Sequence, residues 1–414
     1  MSAMCRKPLC SRVWASLGRL RPLAGSIPGF VLAGALSLAA LLALLATTEL
    51  KTRGTAAFSD PGWDRHLYIE MAANNPLDFH LAPFCWRVLV PALVSVLPGD
   101  LQAAFFLITA VSLWASGALL FLLLRWQAGS AIAASGTLIF FSLGWGAKFA
   151  LADFWIPDAA VLAFATACLL MAPGKHNLLL AGCLAAGAAS KESALFAVPL
   201  IYTLRATRPL DGPAARRALL VAAPALAIAA AIRLWIPAFN ADSAYVATLP
   251  SHISRFPEIF PDYNYVSLAR DIGYEQRVLD FEPGDFWSYT TRPFGIALPL
   301  LALVGAWRRP LLALRLLPFN VLVYAQLFFA TDTERLLVLA APVLLWIAAA
   351  GAVSFGPRSA VAGAALVLGL GLFGARLVSS GSYGLAPALQ VGSIASAAVA
   401  YLAVAHFRRR AGYV

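Results

Sequence analysis

The stretch "FVLAGALSLAALLALLA", residues 30–46, runs without a single charged side chain. An α-helix needs about 20 such residues, at 1.5 Å each, to cross a hydrocarbon core of roughly 30 Å. No other feature restricts the fold as much, because backbone polar groups in a bilayer must be satisfied inside helices or a closed barrel. Similar apolar runs recur along the chain. They are continuous rather than alternating, so the predicted class is an all-α integral membrane protein and not a β-barrel. Composition agrees: 61% of the 414 residues are hydrophobic and only 12% charged, with a mean hydropathy of +0.77.

The apolar runs place about 12 transmembrane helices at 27–46, 102–124, 130–147, 157–172, 177–190, 193–205, 217–236, 293–308, 311–330, 335–352, 359–376 and 388–405. A polytopic domain thus fills 27–405, between a basic tail at 1–26 and a second at 406–414. The segments 177–190 and 193–205 are short and are expected to tilt, thin the bilayer or form a broken pair. "CWRVLVPALVSVLP" (85–98) is too short to cross and reads as a helix lying at the interface. The first apolar run is too long for the core of a signal peptide, so it is read as a retained span. The five cysteines form no CxxC pair, which argues against a disulfide framework or a cysteine metal site.

A net charge of +11 would suggest nucleic acid as partner of a soluble chain. Here the topological bias of Lys and Arg accounts for it, and no nucleic-acid partner is expected. With both termini on one side, 17 of the 31 Lys and Arg fall there, in tails and short loops, from Arg6 and Lys7 to Arg408–Arg410. The positive-inside rule makes that side cytoplasmic. Asp211 is the one acid it holds; the other 19 of 20 acids fall on the opposite side or at its edge. Acids contribute little to topology, so their collection there needs another cause. Two long outer loops, about 49–100 and 237–292, carry most of them, and loops of that length are usually functional.

Four polar motifs share this outer side. In "WDRHLYIEMAANNP" (63–76) a helix is expected to start at Ser59-Asp60-Pro61 and stop at Asn74-Asn75-Pro76. Helical spacing puts Asp64, Leu67, Tyr68 and Met71 on one face, with His66 and Glu70 beside it. Burial and a nearby cation are opposing ways to prepare a carboxylate for proton transfer. The alternative is a solvated amphipathic helix. "FALADFWIPDAA" (149–160) supplies Asp153 and Asp158, the latter also explicable as a first-turn acid favoured by the helix dipole. "GAASKESALFAVPL" (187–200) supplies Lys191 and Glu192, in what could be a plain polar turn capped by Ser190. "FFATDTERLLVLAAPVLL" (328–345) supplies Asp332, Glu334 and Arg335, in a pattern that also suits a helix cap. Convergence of four such motifs on one membrane face favours function over four independent caps.

Trp63-Asp64 with Tyr68 in the first outer loop resembles the first-loop acidic motif of GT-C glycosyltransferases. "SKES" followed by "LFAVPL", the segment from Glu334-Arg335 to Pro342, and "APFCWRVLVPAL" (82–93) are similar to stretches in bacterial members of that superfamily. The likeness spans about 27–350 in architecture. Arg65 departs from the twin-acid form, standing where a second acid would be expected. The resemblance implies transfer of a sugar from a polyprenyl-phosphate carrier to a glycan, lipid or protein acceptor on the non-cytoplasmic face of a bacterial inner membrane. It implies Asp64 as general base and Lys191 and Arg335, then Arg87 and Arg292, as cations for the leaving phosphate. Arg65, His66, Tyr68, Glu70, Asp153, Asp158, Glu192, Asp332 and Glu334 would support them, with His66 and Glu70 expected to pair. Tyr263, Tyr265, Trp287 and Tyr289 in the second loop are candidates for a substrate lid, or for an interfacial aromatic belt. No cofactor is fixed by this reading, and a divalent ion, Mg or Mn, remains compatible with it.

Two rival classes stay open. A transporter or flippase would place polar groups and broken helices near the bilayer midplane, often in repeated halves. A non-catalytic membrane scaffold would tolerate loss of Asp64.

Overall fold

The computed structural model describes residues 27–59, 64–240, 243–254, 283–295, 297–328 and 333–353. The regular elements are helices: α1 (Ile27–Leu45), α2 (Asp64–Ala73), α3 (Leu89–Val96), α4 (Leu101–Ala128), α5 (Ser130–Ser142), α6 (Asp158–Met171) and α7 (Asn177–Ser190). They continue with α8 (Val198–Thr203), α9 (Gly212–Trp235), α10 (Pro283–Phe294), α11 (Ala297–Arg308), α12 (Pro310–Ala325), α13 (Thr333–Leu337) and α14 (Ala341–Val353). The tails, Tyr263, Tyr265, Asp332, the Asp60-Pro61 helix start and the spans expected at 359–376 and 388–405 lie outside the described residues.

The expected all-α class holds among these residues, but the count of about 12 spans does not. Four helices are long and apolar enough to cross a membrane: Pro28–Leu45, Leu101–Ala128, Gly212–Trp235 and the continuous Glu334–Val353. A fifth follows if α5 and the segment Gly144–Ala152, bent by 54° at their junction, count as one. The segments expected at 157–172, 177–190, 193–205, 293–308 and 311–330 form apolar helices of only 10–17 residues. The physical reason is interruption. Apolarity persists while the helix does not: Gly146 leaves helical geometry between α5 and Phe149, and extended Lys191 keeps the two short segments on either side of it from joining into one helix. The interfacial segment 85–98 becomes a turn at Phe84–Trp86 and the eight residues of α3.

Local chemistry sets the joints. Gly129, at φ 84°, separates α4 from α5, in a backbone region that favours glycine. Asp211 caps α9, its carboxylate accepting from the Ala214 amide at 3.1 Å. Inside the bundle α4 packs on α1, α5 and α6, α7 on α9, and α11 on α14. The α11–α14 crossing is very close: a Cβ placed on Gly305 would overlap the carbonyl oxygen of Ile347, and one on Gly351 would stand 2.6 Å from the Gly305 Cα. Small residues at a helix crossing permit such backbone approach where water offers no driving force.

A second, aromatic-rich core covers one end of this bundle. It joins Leu67, Tyr68 and Met71 of α2 to Phe84, Phe105, Phe154 and Trp155. The two long loops after α1 and α9 are tied there by a parallel bridge between Leu81 and Phe239, with the Phe239 amide donating to the His80 carbonyl at 2.7 Å. The polar motifs collect at the seam between the two cores.

Candidate functional site

Helix α2 buries Leu67, Tyr68 and Met71, the face that its spacing predicts, and Arg65 as well. Asp64 at its first position projects toward Arg335, whose Nη2 donates to Asp64 Oδ2 at 2.9 Å. Arg335 Nε lies 3.0 Å from Asp158 Oδ2, and Asp158 Oδ1 accepts from Lys191 Nζ at 2.7 Å. The result is an alternating chain, Asp64–Arg335–Asp158–Lys191, assembled from four distant segments. Its cations are nearly enclosed, with Arg335 and Lys191 side chains 8% and 5% exposed, while Asp64 keeps 20%. Arg335 also lies over the Phe149 ring, 5.9 Å from its centroid.

A cavity of about 30 Å³ adjoins this chain, with Asp158, Lys191, Ser193 and Arg335 among its polar walls and Trp145, Phe149 and Leu339 among its apolar ones. That volume suits about one water molecule. Asp64 meets the cluster through Arg335 rather than by lining the cavity.

A parallel set stands alongside. Arg87 donates to the Tyr68 hydroxyl at 3.0 Å and to Glu192 Oε1 at 2.8 Å. Burial would raise the Glu192 carboxyl, but Arg87, the backbone and Lys191 outweigh it and hold its pKa at about 2. Burial works against the Arg87 charge, and Glu192 and Tyr68 overcome it to hold its pKa above the ordinary value. Burial pushes the Tyr68 phenol up, so it stays protonated. It also pushes Lys191 below its usual value, with the Asp158 carboxylate pulling the other way. Lys191 owes its place to the extended residue between two helical segments, which turns its stem into the protein. Ser190 does not cap that turn; its hydroxyl donates back to the Ala186 carbonyl at 3.0 Å.

The other expected site residues divide. Arg65 and Asp153 form a buried pair, Nε–Oδ1 3.2 Å and Nη2–Oδ2 2.7 Å, with Lys51 Nζ 3.3 Å from the same carboxylate. This is an anchor rather than part of the Asp64 chain. Glu70 accepts from Asn74 Nδ2 at 2.8 Å, while the His66 ring stands edge-on to Phe58 and His252. Arg292 and Glu334 meet at 2.8 Å, Arg292 at the exposed rim and over the Tyr289 ring. Trp287 is largely exposed and Tyr289 half-buried against the bundle. Two participants escaped the sequence reading: Lys51, just beyond the first span, and Phe149, which lies inside a motif quoted for its acids.

Among the described residues no three His, Cys, Asp or Glu side chains gather as a metal site. Arg335 and Lys191 already balance the Asp64 and Asp158 carboxylates. No family model matches the chain, and neither curated proteins nor solved structures provide a match.

Proposed function

We propose that the protein is a multi-pass membrane glycosyltransferase that moves a sugar from a polyprenyl-phosphate carrier to an acceptor hydroxyl on the non-cytoplasmic face of the cell membrane. The observation that carries this reading is the alternating chain in which Arg335 and Lys191 share Asp158 while Arg335 also holds Asp64. Two nearly enclosed cations beside an accessible carboxylate suit a reaction that releases a phosphate and takes up a proton. A donor phosphate competing for Arg335 and Lys191 gains charge-assisted hydrogen bonds. It would loosen Arg335 from Asp64 as it binds, so that the carboxylate becomes a base only when donor is present. The acceptor oxygen then forms the glycosidic bond as the anomeric carbon–phosphate bond breaks. Its proton passes to Asp64, and polyprenyl phosphate leaves on the two cations.

Purified full-length protein assayed with a panel of polyprenyl-phosphate sugars tests this. Asp64→Asn keeps size and most hydrogen bonding but removes the basic oxygen. Turnover should fall roughly a hundredfold or more, the range for a positioned base. Lys191→Ala and Arg335→Ala should weaken donor binding as well. Normal turnover by Asp64→Asn would remove the proposed base. Wild-type protein that carries a solute across vesicles while making no glycoside would replace the reading with a transporter.

A further inference from the structure

The α6–α7 hairpin has a second polar end. Asp158 and Lys191 stand at one end; the 172–177 connection stands at the other, about 20 Å away at 1.5 Å per residue. There a cavity of about 600 Å³ opens between the hairpin, the start of α9, and α12 and α14. Lys175, Arg205, Arg217 and Arg315 bring four cations to its wall, and Trp126 and Trp346 give it an apolar side. No Asp or Glu lines it among the described residues. Asp211, the acid that topology puts on this side, is engaged elsewhere. It caps α9 and accepts from the Thr207 amide and hydroxyl at 2.8 and 2.9 Å.

Neutral acceptors hold Arg205 and Arg315 in place. Arg205 donates through Nε to the Ala172 carbonyl at 2.6 Å and through Nη1 to Asn177 Oδ1 at 2.8 Å. Its Nη2 is buried and has no hydrogen-bond partner among the described residues. Arg315 donates to the Leu204 and Ala206 carbonyls at 3.3 and 2.9 Å. Carbonyls satisfy donors but carry no net charge, and no carboxylate of the described residues stands in the wall beside Lys175, Arg205 and Arg217. Like charges gathered at one wall repel one another, and a bound anion reverses that cost. An orphaned guanidinium N–H is likewise a donor prepared for an acceptor.

We propose that this cavity, opposite the Asp64 end, is a binding site for a phosphate group carried on an organic body. Phosphate supplies several acceptor oxygens and the charge that planar guanidinium forks match. The volume falls in the range of small-molecule sites, more than bare phosphate needs. The tryptophan side suits the organic part. Two sources share this chemistry: a phospholipid headgroup from the adjoining leaflet, or a soluble phosphate ester. Leu178 and Leu179, 91% and 61% exposed beside Asn177, put an apolar rim next to the opening. The site stands independently of the glycosyltransferase reading.

The test uses full-length protein in a phosphate-free detergent. Phosphatidic acid is followed by its retention in native mass spectrometry, and glycerol 3-phosphate and inorganic phosphate by calorimetry. Binding of at least one probe is expected, weakened about tenfold or more by Arg205→Gln, as for loss of one charged hydrogen bond. Arg217→Gln serves as the second variant, because Arg217 is exposed at the rim and its loss leaves packing intact. Retention of phosphatidic acid alone identifies a headgroup site; binding of the soluble ester with the same sensitivity identifies a soluble ligand. Binding that survives both variants but is lost in Lys191→Gln would place the phosphate at the other end and overturn the proposal. So would failure of all three probes to bind.

Discussion

Arg65 clasps Asp153 through two hydrogen bonds, at 3.2 and 2.7 Å, with both side chains almost fully buried. The pair fixes how α2 is rotated against the bundle, and Asp64 is the preceding residue. Holding Arg65 inward is therefore what presents Asp64 to Arg335. Arg65 thus anchors the residue next to Asp64.

Removing one member of a buried pair leaves an uncompensated charge and costs about 3–5 kcal/mol. Asp153→Leu takes the carboxylate from Arg65 and Lys51 together, whereas Arg65→Met leaves Lys51 with Asp153. Asp153→Leu should therefore be the more damaging, and the double variant should recover part of the loss. Denaturation in detergent measures all three. Equal, additive effects would show that the pair does not set the stability of this end.

Much of that end was legible beforehand, because helical spacing in 64–73 names Leu67, Tyr68 and Met71 as the inward face. Lys191 stood out as a cation between two short helices. Arg65 was not legible: three residues before Tyr68 it falls at the edge of that face, and only Asp153, remote in sequence, explains the burial of a charge there. The number of spans failed for a related reason. Hydropathy reports how apolar a segment is, while crossing also demands an unbroken helix. The 54° bend after α5 and the 14 residues of α6 are set by backbone breaks that apolarity does not register.

Acid should loosen the Arg87–Glu192 clasp. The Glu192 carboxyl titrates at about 2 in the folded protein against 4.5 ordinarily, a depressed value. Its contribution is therefore complete above about pH 4.5 and fades as pH falls toward 2. Stability of wild type and Glu192→Gln, measured from pH 6 downward, should differ most at pH 6 and converge in acid. A gap that stays constant with pH would mean that the charge on Glu192 is not what stabilises the pair.

The α11–α14 crossing should reject any side chain at Gly305. Replacing glycine by alanine in a helix gains about 1 kcal/mol of propensity. Overpacking costs typically 1–3 kcal/mol, and here the obstruction is the Ile347 backbone, which cannot rotate away as a side chain would. The clash should win, so Gly305→Ala lowers the melting temperature in detergent and Gly305→Leu lowers it further. An unchanged or raised melting temperature for Gly305→Ala would show that the two helices separate at little cost.

The orientation of the whole site rests on where the cations lie. Lys175, Arg205, Arg208, Arg216 and Arg217 gather at the far end of the α6–α7 hairpin and the start of α9, opposite Asp64. By the positive-inside rule that end is expected to be cytoplasmic and α2 outside. Single cysteines report this directly. Cys85 and Cys168 are buried and can stay, while Cys5, Cys10 and the half-buried Cys183 are replaced by alanine. Ser59→Cys, exposed just before α2, should react with an impermeant thiol reagent in intact cells. Leu210→Cys, 89% exposed in the natural residue, should react only after the membrane is opened. The reverse pattern would invert the protein, placing Asp64 where a donor carried on the outer leaflet could not reach it.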